Sequence, residues 1–242
     1  MIEGPISLVE EWLLNTVKKG TILDFGCGKG VVMRRFSQRG WDAIGLEPQL
    51  DDLKSAKMFG EVVCGAGERL PFADGTLDAV ISSNVLHHMA NPQEGLQEIH
   101  RCLKAGGYLL LVETVENNPS IRLARNIHPY YEEMPVKSRY RMEELRTLII
   151  KNNFVIVEED AGGFIVWLFV MLANRVKLFA TIFSLLLSGL DSLETYLARK
   201  VRPLRKYCQN YFMLAYKIKG KVRVDSGAKI TNGIVKGLFS AL

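Results

Sequence analysis

From about residue 20 to residue 160, short apolar runs alternate with amphipathic stretches, and the alternation predicts a strand–helix–strand order. Ile22 and Leu23 open the first run, which ends at Asp24 and passes into Gly26, Gly28 and Gly30. Val31 to Phe36 follow as a helix that stops near Gly40. The next strands are read over Asp42–Leu46 with Glu47 at the end, over Val62–Cys64, and from Asp78 to Ser83. Asn91, Pro92 and Glu94 carry the signature of a helix start: a capping Asn, Pro at the first helical position and Glu three residues after the cap. Leu96, Ile99 and Leu103 give that helix a core face, and Gly106-Gly107 is expected to end it. Tyr108–Val112 reads as strand five, Met142–Lys151 as a helix and Phe154–Glu158 as strand six. Ser7 and Glu10 make a capping box for a first helix through Trp12, Leu13 and Val17. Such an order argues for a parallel, doubly wound α/β sheet.

The glycines between strand one and its helix carry the first chemical signal. They let the backbone turn sharply and approach a ligand, with the free N–H groups of the helix start pointing at it. The spacing departs from the dinucleotide fingerprint G-x-G-x-x-G, because Val31 stands where the third glycine belongs. Glu47 ends strand two about 20 residues further on, where a carboxylate can hold both hydroxyls of a ribose.

The D-x-G-x-G-x-G turn resembles motif I of class I S-adenosylmethionine-dependent methyltransferases. The match continues through Gly65-Ala66-Gly67-Glu68-Arg69-Leu70-Pro71-Phe72, Asp78-Ala79-Val80-Ile81 and Asn84-Val85-Leu86-His87-His88-Met89. These follow, in order, the pattern of the broad group typified by quinone-biosynthesis enzymes, and the resemblance covers residues 20 to about 115. Ala66 replaces the Asp that commonly meets adenine, and Leu77 replaces Phe. The resemblance implies a Rossmann-like seven-stranded sheet with helices on both faces, and an antiparallel last strand expected at Tyr211–Ile218. It implies S-adenosylmethionine as cofactor, with Asp24, Gly26, Gly28 and Gly30 shaping the methionine pocket, Glu47 on the ribose, and Gly67 and Glu68 beside adenine. Asn84 is counted with the cofactor-binding residues.

A methyl acceptor is expected under residues 113–140, with Tyr130 and Tyr131 as candidate contacts. Methyl transfer is an in-line displacement, so positioning and desolvation supply most of the acceleration. A hydroxyl or carbon acceptor also needs a base, for which His88 and His128 are the candidates. His88 reads equally as a structural histidine near the methionine end of the cofactor, His128 as a loop residue, and His100 as an ordinary helix-surface residue.

Residues 161–210, between strands six and seven, far exceed an ordinary loop. Phe164–Ala173 is apolar on all sides, and beyond it Asn174, Lys177, Thr181, Ser184 and Ser188 draw one narrow polar stripe. Arg175 and Lys177 offset the apolar residues as a membrane span, and a single crossing would separate strand seven from its sheet. An inserted helical hairpin is therefore expected. The chain divides into a cofactor domain of residues 1–160 with 211–220, the hairpin 161–210, and a basic tail 221–242.

Charge changes the picture locally. The chain carries net +5, yet Thr195 to Val224 contains nine basic residues and no acid, so the remainder is net negative. Such a surface suits peripheral contact with anionic lipid headgroups; the apolar helix equally suits a dimer interface. Nucleic acid is not an expected partner, since neither an Asn/Asp-Pro-Pro-aromatic motif nor a Pro-Cys nucleophile is present. Cys27, Cys64, Cys102 and Cys208 lie far apart and read as buried thiols in a reducing cytoplasm, with no metal site. The opening residues carry no secretory pattern, and the protein is expected in the cytoplasm or at the inner face of the membrane. The expected function is methyl transfer to a small or lipidic acceptor. The alternative is a non-catalytic module of the same fold that binds a protein through the hairpin.

Overall fold

Leu109, Leu110, Leu111 and Val112 are successive and all at most 2% exposed, which requires a strand covered on both faces. The computed structural model describes residues 11–17, 19–117, 140–162, 200–201 and 208–218. Its seven strands are β1 (Thr21–Phe25), β2 (Asp42–Glu47), β3 (Glu61–Cys64), β4 (Leu77–Ser83), β5 (Leu103–Thr114), β6 (Phe154–Gly162) and β7 (Asn210–Lys217). They form one sheet in the order β3-β2-β1-β4-β5-β7-β6. Strands β1 to β5 pair in parallel, and β7 runs antiparallel between β5 and β6. This is the expected sheet, including its antiparallel last strand.

Helices cover both faces. On one, α1 (residues 11–16), α2 (Val31–Ser37) and α3 (Leu50–Ala56) contribute Leu13, Val32, Met33, Phe36, Leu53 and Ala56 to a core with Ile22, Ala79 and Ile81. On the other, α4 (Pro92–Cys102) and α5 (Met142–Lys151) bring Leu96, Ile99, Leu145 and Ile149 against Leu23, Phe25, Val80 and Leu111. The start of α4 is built as its sequence predicts: Asn91 Oδ1 accepts the Glu94 N–H at 3.3 Å, and Pro92 takes the first helical position.

Two boundaries differ from expectation. Gly106-Gly107 does not end α4, which stops at Cys102 because Leu103 already pairs with Leu77. The glycines lie inside β5, where the register shifts and Gly106 takes φ 90°. An added Cβ at Gly107 would meet the Asp78 carbonyl oxygen at 3.0 Å, so the close approach of β4 selects glycine there. Strand β6 also runs past Glu158 to Gly162, held by pairing of Ala161 and Gly162 with Tyr211 and Asn210.

Two side chains sit differently from their sequence readings. His100 is no plain surface residue: its ring packs edge-on against Phe154 with centroids 5.2 Å apart, and burial, helped by Lys217, lowers its pKa. Of the four thiols, Cys27, Cys102 and Cys208 are buried but Cys64 is exposed, because β3 is the sheet edge. Among the described residues no helix is long and apolar enough to cross a membrane. The expected hairpin gives up residues 161–162 and 210 to strands β6 and β7, and its residues 163–199 and 202–207, the basic tail and the Ser7–Glu10 capping box lie outside the described residues.

Candidate functional site

The C-terminal ends of the parallel strands share one rim, and the polar side chains gather there. Gly26, Gly28 and Gly30 all take positive φ (77°, 49° and 80°), so the turn after β1 is left-handed at alternate residues. Two of the three serve packing. A Cβ on Gly26 would meet Val85 Cγ2 at 2.4 Å, and one on Gly30 would meet Ala56 Cα at 2.7 Å. Gly28 differs, because a Cβ there would find no atom of the described residues within 4 Å. The turn therefore leaves an open cradle at its apex.

Glu47 faces that cradle. Its Oε2 accepts the Gly28 N–H at 3.1 Å and its Oε1 the Gln49 N–H at 3.2 Å. A carboxylate on the turn's own N–H repels a pyrophosphate and suits a positively charged ligand. The thiol of Cys27 reports the same field: burial, then Asp24 and Glu47, push it up to about 12. The residues present thus fit the positively charged sulfonium of S-adenosylmethionine.

Asp24 is 3% exposed, and its Oδ2 accepts the Met33 N–H at 3.1 Å, satisfying an orphan donor at the start of α2. Burial pushes its carboxyl up to about 7, opposed by the Met33 N–H and reinforced by Glu47. A carboxyl raised in the folded state keeps its proton preferentially there. Its contribution to stability is complete below the ordinary value of 3.8 and is lost as the pH climbs to about 7. Asp24→Asn retains an oxygen for Met33 and should flatten the fall in melting temperature across that window. A variant as steep as the wild-type protein would assign the slope elsewhere.

In the loop after β3, a Cβ on Gly67 would meet Phe25 Cζ at 2.2 Å, so the loop lies directly on the core. Glu68 Oε1 accepts the Asn91 N–H at 3.4 Å. Arg101 holds the following Leu-Pro-Phe segment through the Leu70 and Phe72 carbonyl oxygens at 3.0 and 2.8 Å, while Glu98 accepts the Leu70 N–H. Asn84 adopts φ 58°, and its Oδ1 accepts from the backbone N–H and hydroxyl of Thr114, tying the ends of β4 and β5.

Sequence reasoning missed one cluster. Glu113 is fully buried near the end of β5, where it accepts the Val85 N–H at 2.9 Å and the Leu86 N–H at 2.7 Å. Its Oε2 lies 2.6 Å from His87 Nδ1, and the His87 and His88 rings lie 4.1 Å apart. The available signal was the one used for Glu47, a carboxylate closing a parallel strand. His128, Tyr130 and Tyr131 lie outside the described residues. Among the described residues no group of acidic, His or Cys side chains is arranged to hold a metal.

The family model described as a methyltransferase domain matches residues 23–111, which contain the glycine turn, Glu47, the Leu-Pro-Phe loop and the His87 turn. Over these residues the chain is similar to a methyltransferase domain. It is 36% identical over 102 residues to an uncharacterized methyltransferase of Mycobacterium sp. (strain KMS), covering 41% of this chain and 40% of that protein. The chain thus spans about two-fifths of the length of the curated relatives it matches. A SAM-dependent methyltransferase from Archaeoglobus fulgidus superposes with a TM-score of 0.61 at 17% identity, over 87% of this chain and 92% of that one. The cyclase SpnF superposes with a TM-score of 0.62 at 18% identity, over 88% and 82%. These likenesses are of fold, and the chemistry must be argued from the site.

Proposed function

We propose that the protein is an S-adenosylmethionine-dependent methyltransferase that moves the methyl group to a small or lipidic acceptor by in-line displacement. The observation that carries this reading is the open cradle at Gly28, closed on one side by the Glu47 carboxylate. When bound, S-adenosylmethionine supplies an electrophilic methyl carbon on a sulfonium. Glu47 would take the ribose hydroxyls, and the turn at Gly26, Gly28 and Gly30 would receive the methionine end. Asp24 would act through the turn by fixing the start of α2. Gly67 and Glu68 would flank adenine on a loop that Arg101 holds in place. Asn84 would keep the ends of β4 and β5 together beneath the reacting atoms.

Topology supports an acceptor above the same rim. Val115 bridges Tyr140, and the Met142 N–H donates to Asn117 Oδ1 at 2.8 Å. The Gln209 N–H donates to the Gly162 carbonyl oxygen at 3.1 Å. Both long connections, 118–139 and 163–208, therefore leave and rejoin the fold at the strand ends that carry the cradle. The apolar sequence of the second connection, followed by its basic run, supports a lipidic acceptor and peripheral contact with an anionic membrane.

The test is methyl transfer from radiolabelled S-adenosylmethionine into a bacterial lysate, partitioned between organic and aqueous phases. Label in the organic phase is expected. Glu47→Ala should abolish it and weaken cofactor binding about 100-fold by calorimetry, the loss of charge-assisted bonds worth roughly 1.5–3 kcal/mol each. Label only in water would remove the lipidic acceptor and leave the methyltransferase. Cofactor binding without turnover would favour the non-catalytic module.

A further inference from the structure

We infer that His87, held by Glu113, is the general base of the reaction, and that the acceptor is a hydroxyl that gives up its proton as it is methylated. This rests on the methyltransferase reading. Glu113 has no exposed surface and can only accept; its oxygens take the Val85 and Leu86 N–H groups and face His87 Nδ1 at 2.6 Å. A carboxylate at that distance requires the proton on Nδ1. The lone pair of a neutral ring then lies on Nε2, the nitrogen not turned to Glu113. The ring keeps some access to the surface, at 12% side-chain exposure.

Position favours the same assignment. The turn carrying His87 runs on from β4, at the rim that holds the glycine turn, and Val85 fills the space a Cβ on Gly26 would need. Glu113 from β5 and His88 from the same turn face His87, and Tyr211 lies across the β5–β7 ladder from Glu113. Tyr211 is engaged elsewhere, its hydroxyl donating to Glu159 at 2.6 Å. The step balances without a further reagent. The acceptor oxygen forms a bond to the methyl carbon, the carbon–sulfur bond breaks with its electron pair going to sulfur, and the hydroxyl proton passes to His87 Nε2. An acceptor without a proton to lose would give this arrangement no work.

Glu113→Gln separates a base from a mere turn cap. The glutamine oxygen can still accept from Val85 and Leu86, but its NH2 now donates toward His87 Nδ1, which forces the proton onto Nε2. Ring nitrogen NMR of the full chain should report the Nδ1–H tautomer in the wild-type protein and Nε2–H in Glu113→Gln. Transfer from radiolabelled S-adenosylmethionine into lysate should fall roughly 10²- to 10⁴-fold in His87→Gln, and at least about 10²-fold in Glu113→Gln. Cofactor affinity should stay within about twofold of wild type in both, which also verifies folding. The pH dependence of the rate should differ between the wild-type protein and His87→Gln. The labelled product should resist mild alkali and release volatile methyl iodide with hydriodic acid, as an ether does. Equal rates and pH profiles in wild type and His87→Gln, an Nε2–H ring in the wild-type protein, or an N-methyl product would each overturn the inference. Absence of transfer by the wild-type protein would overturn the methyltransferase reading itself.

Discussion

Glu113→Ala is expected to lower the melting temperature by about 10 °C or more, whereas Glu113→Gln should cost only a few degrees. The carboxylate is fully buried and meets three donors at 2.6–2.9 Å: two backbone N–H groups and His87. Alanine leaves these without an acceptor, and each unsatisfied buried donor costs about 1–3 kcal/mol. The Leu86 side chain is itself fully buried, so water cannot replace the lost acceptor without opening the core. A total of about 3–9 kcal/mol is a large share of the ~5–15 kcal/mol that holds a domain together. At this chain length each kcal/mol moves the midpoint by about 2–4 °C. Thermal denaturation of the two variants beside the wild-type protein checks the order. An alanine variant as stable as the glutamine one would mean that the turn after β4 finds other acceptors.

Much of the frame was legible because it is written locally. Apolar runs gave the strands, Asn91-Pro92 gave the start of α4, and the turn glycines with Glu47 gave the cradle, all within about 20 residues of sequence. What was missed depends on partners far along the chain. Gly106-Gly107 looks like a helix stop, since glycine is the usual punctuation; the pairing of Leu103 with Leu77 makes it part of a strand. Cys64 reads as buried until the strand order puts β3 at the edge. His100 becomes half-buried only because Phe154 meets the last turn of α4. The choice between His87 and His88 has the same character. Two adjacent imidazoles carry no local mark of which one faces Glu113, 26 residues away across the β4–β5 pairing.

Gly28→Ala should cost cofactor affinity while sparing the fold, and Gly30→Ala should lose both together. At Gly28 the added methyl meets no atom of the described residues within 4 Å, so the only structural penalty is a left-handed alanine at φ 49°, worth about 1–2 kcal/mol. The same methyl projects into the cradle beside Glu47, which we propose receives the methionine end of the cofactor, and affinity should fall at least about tenfold. At Gly30 the backbone is also left-handed, but the methyl would lie 2.7 Å from Ala56 Cα and 2.9 Å from Phe59 Cδ2. A main-chain neighbour cannot rotate aside, so α3 must back away and the core of Leu53, Ala56 and Met33 must repack. Overpacking of about 1–3 kcal/mol then adds to the backbone penalty. Calorimetric titration with S-adenosylmethionine and thermal denaturation, run on both variants, distinguish the two effects. A Gly28→Ala protein that binds the cofactor as tightly as wild type would show that the space at the apex of the turn is not where the ligand sits. It would also remove the main support for the proposed function, because among the described residues no other part of the rim combines an unfilled approach to the backbone with a carboxylate on the turn's own N–H.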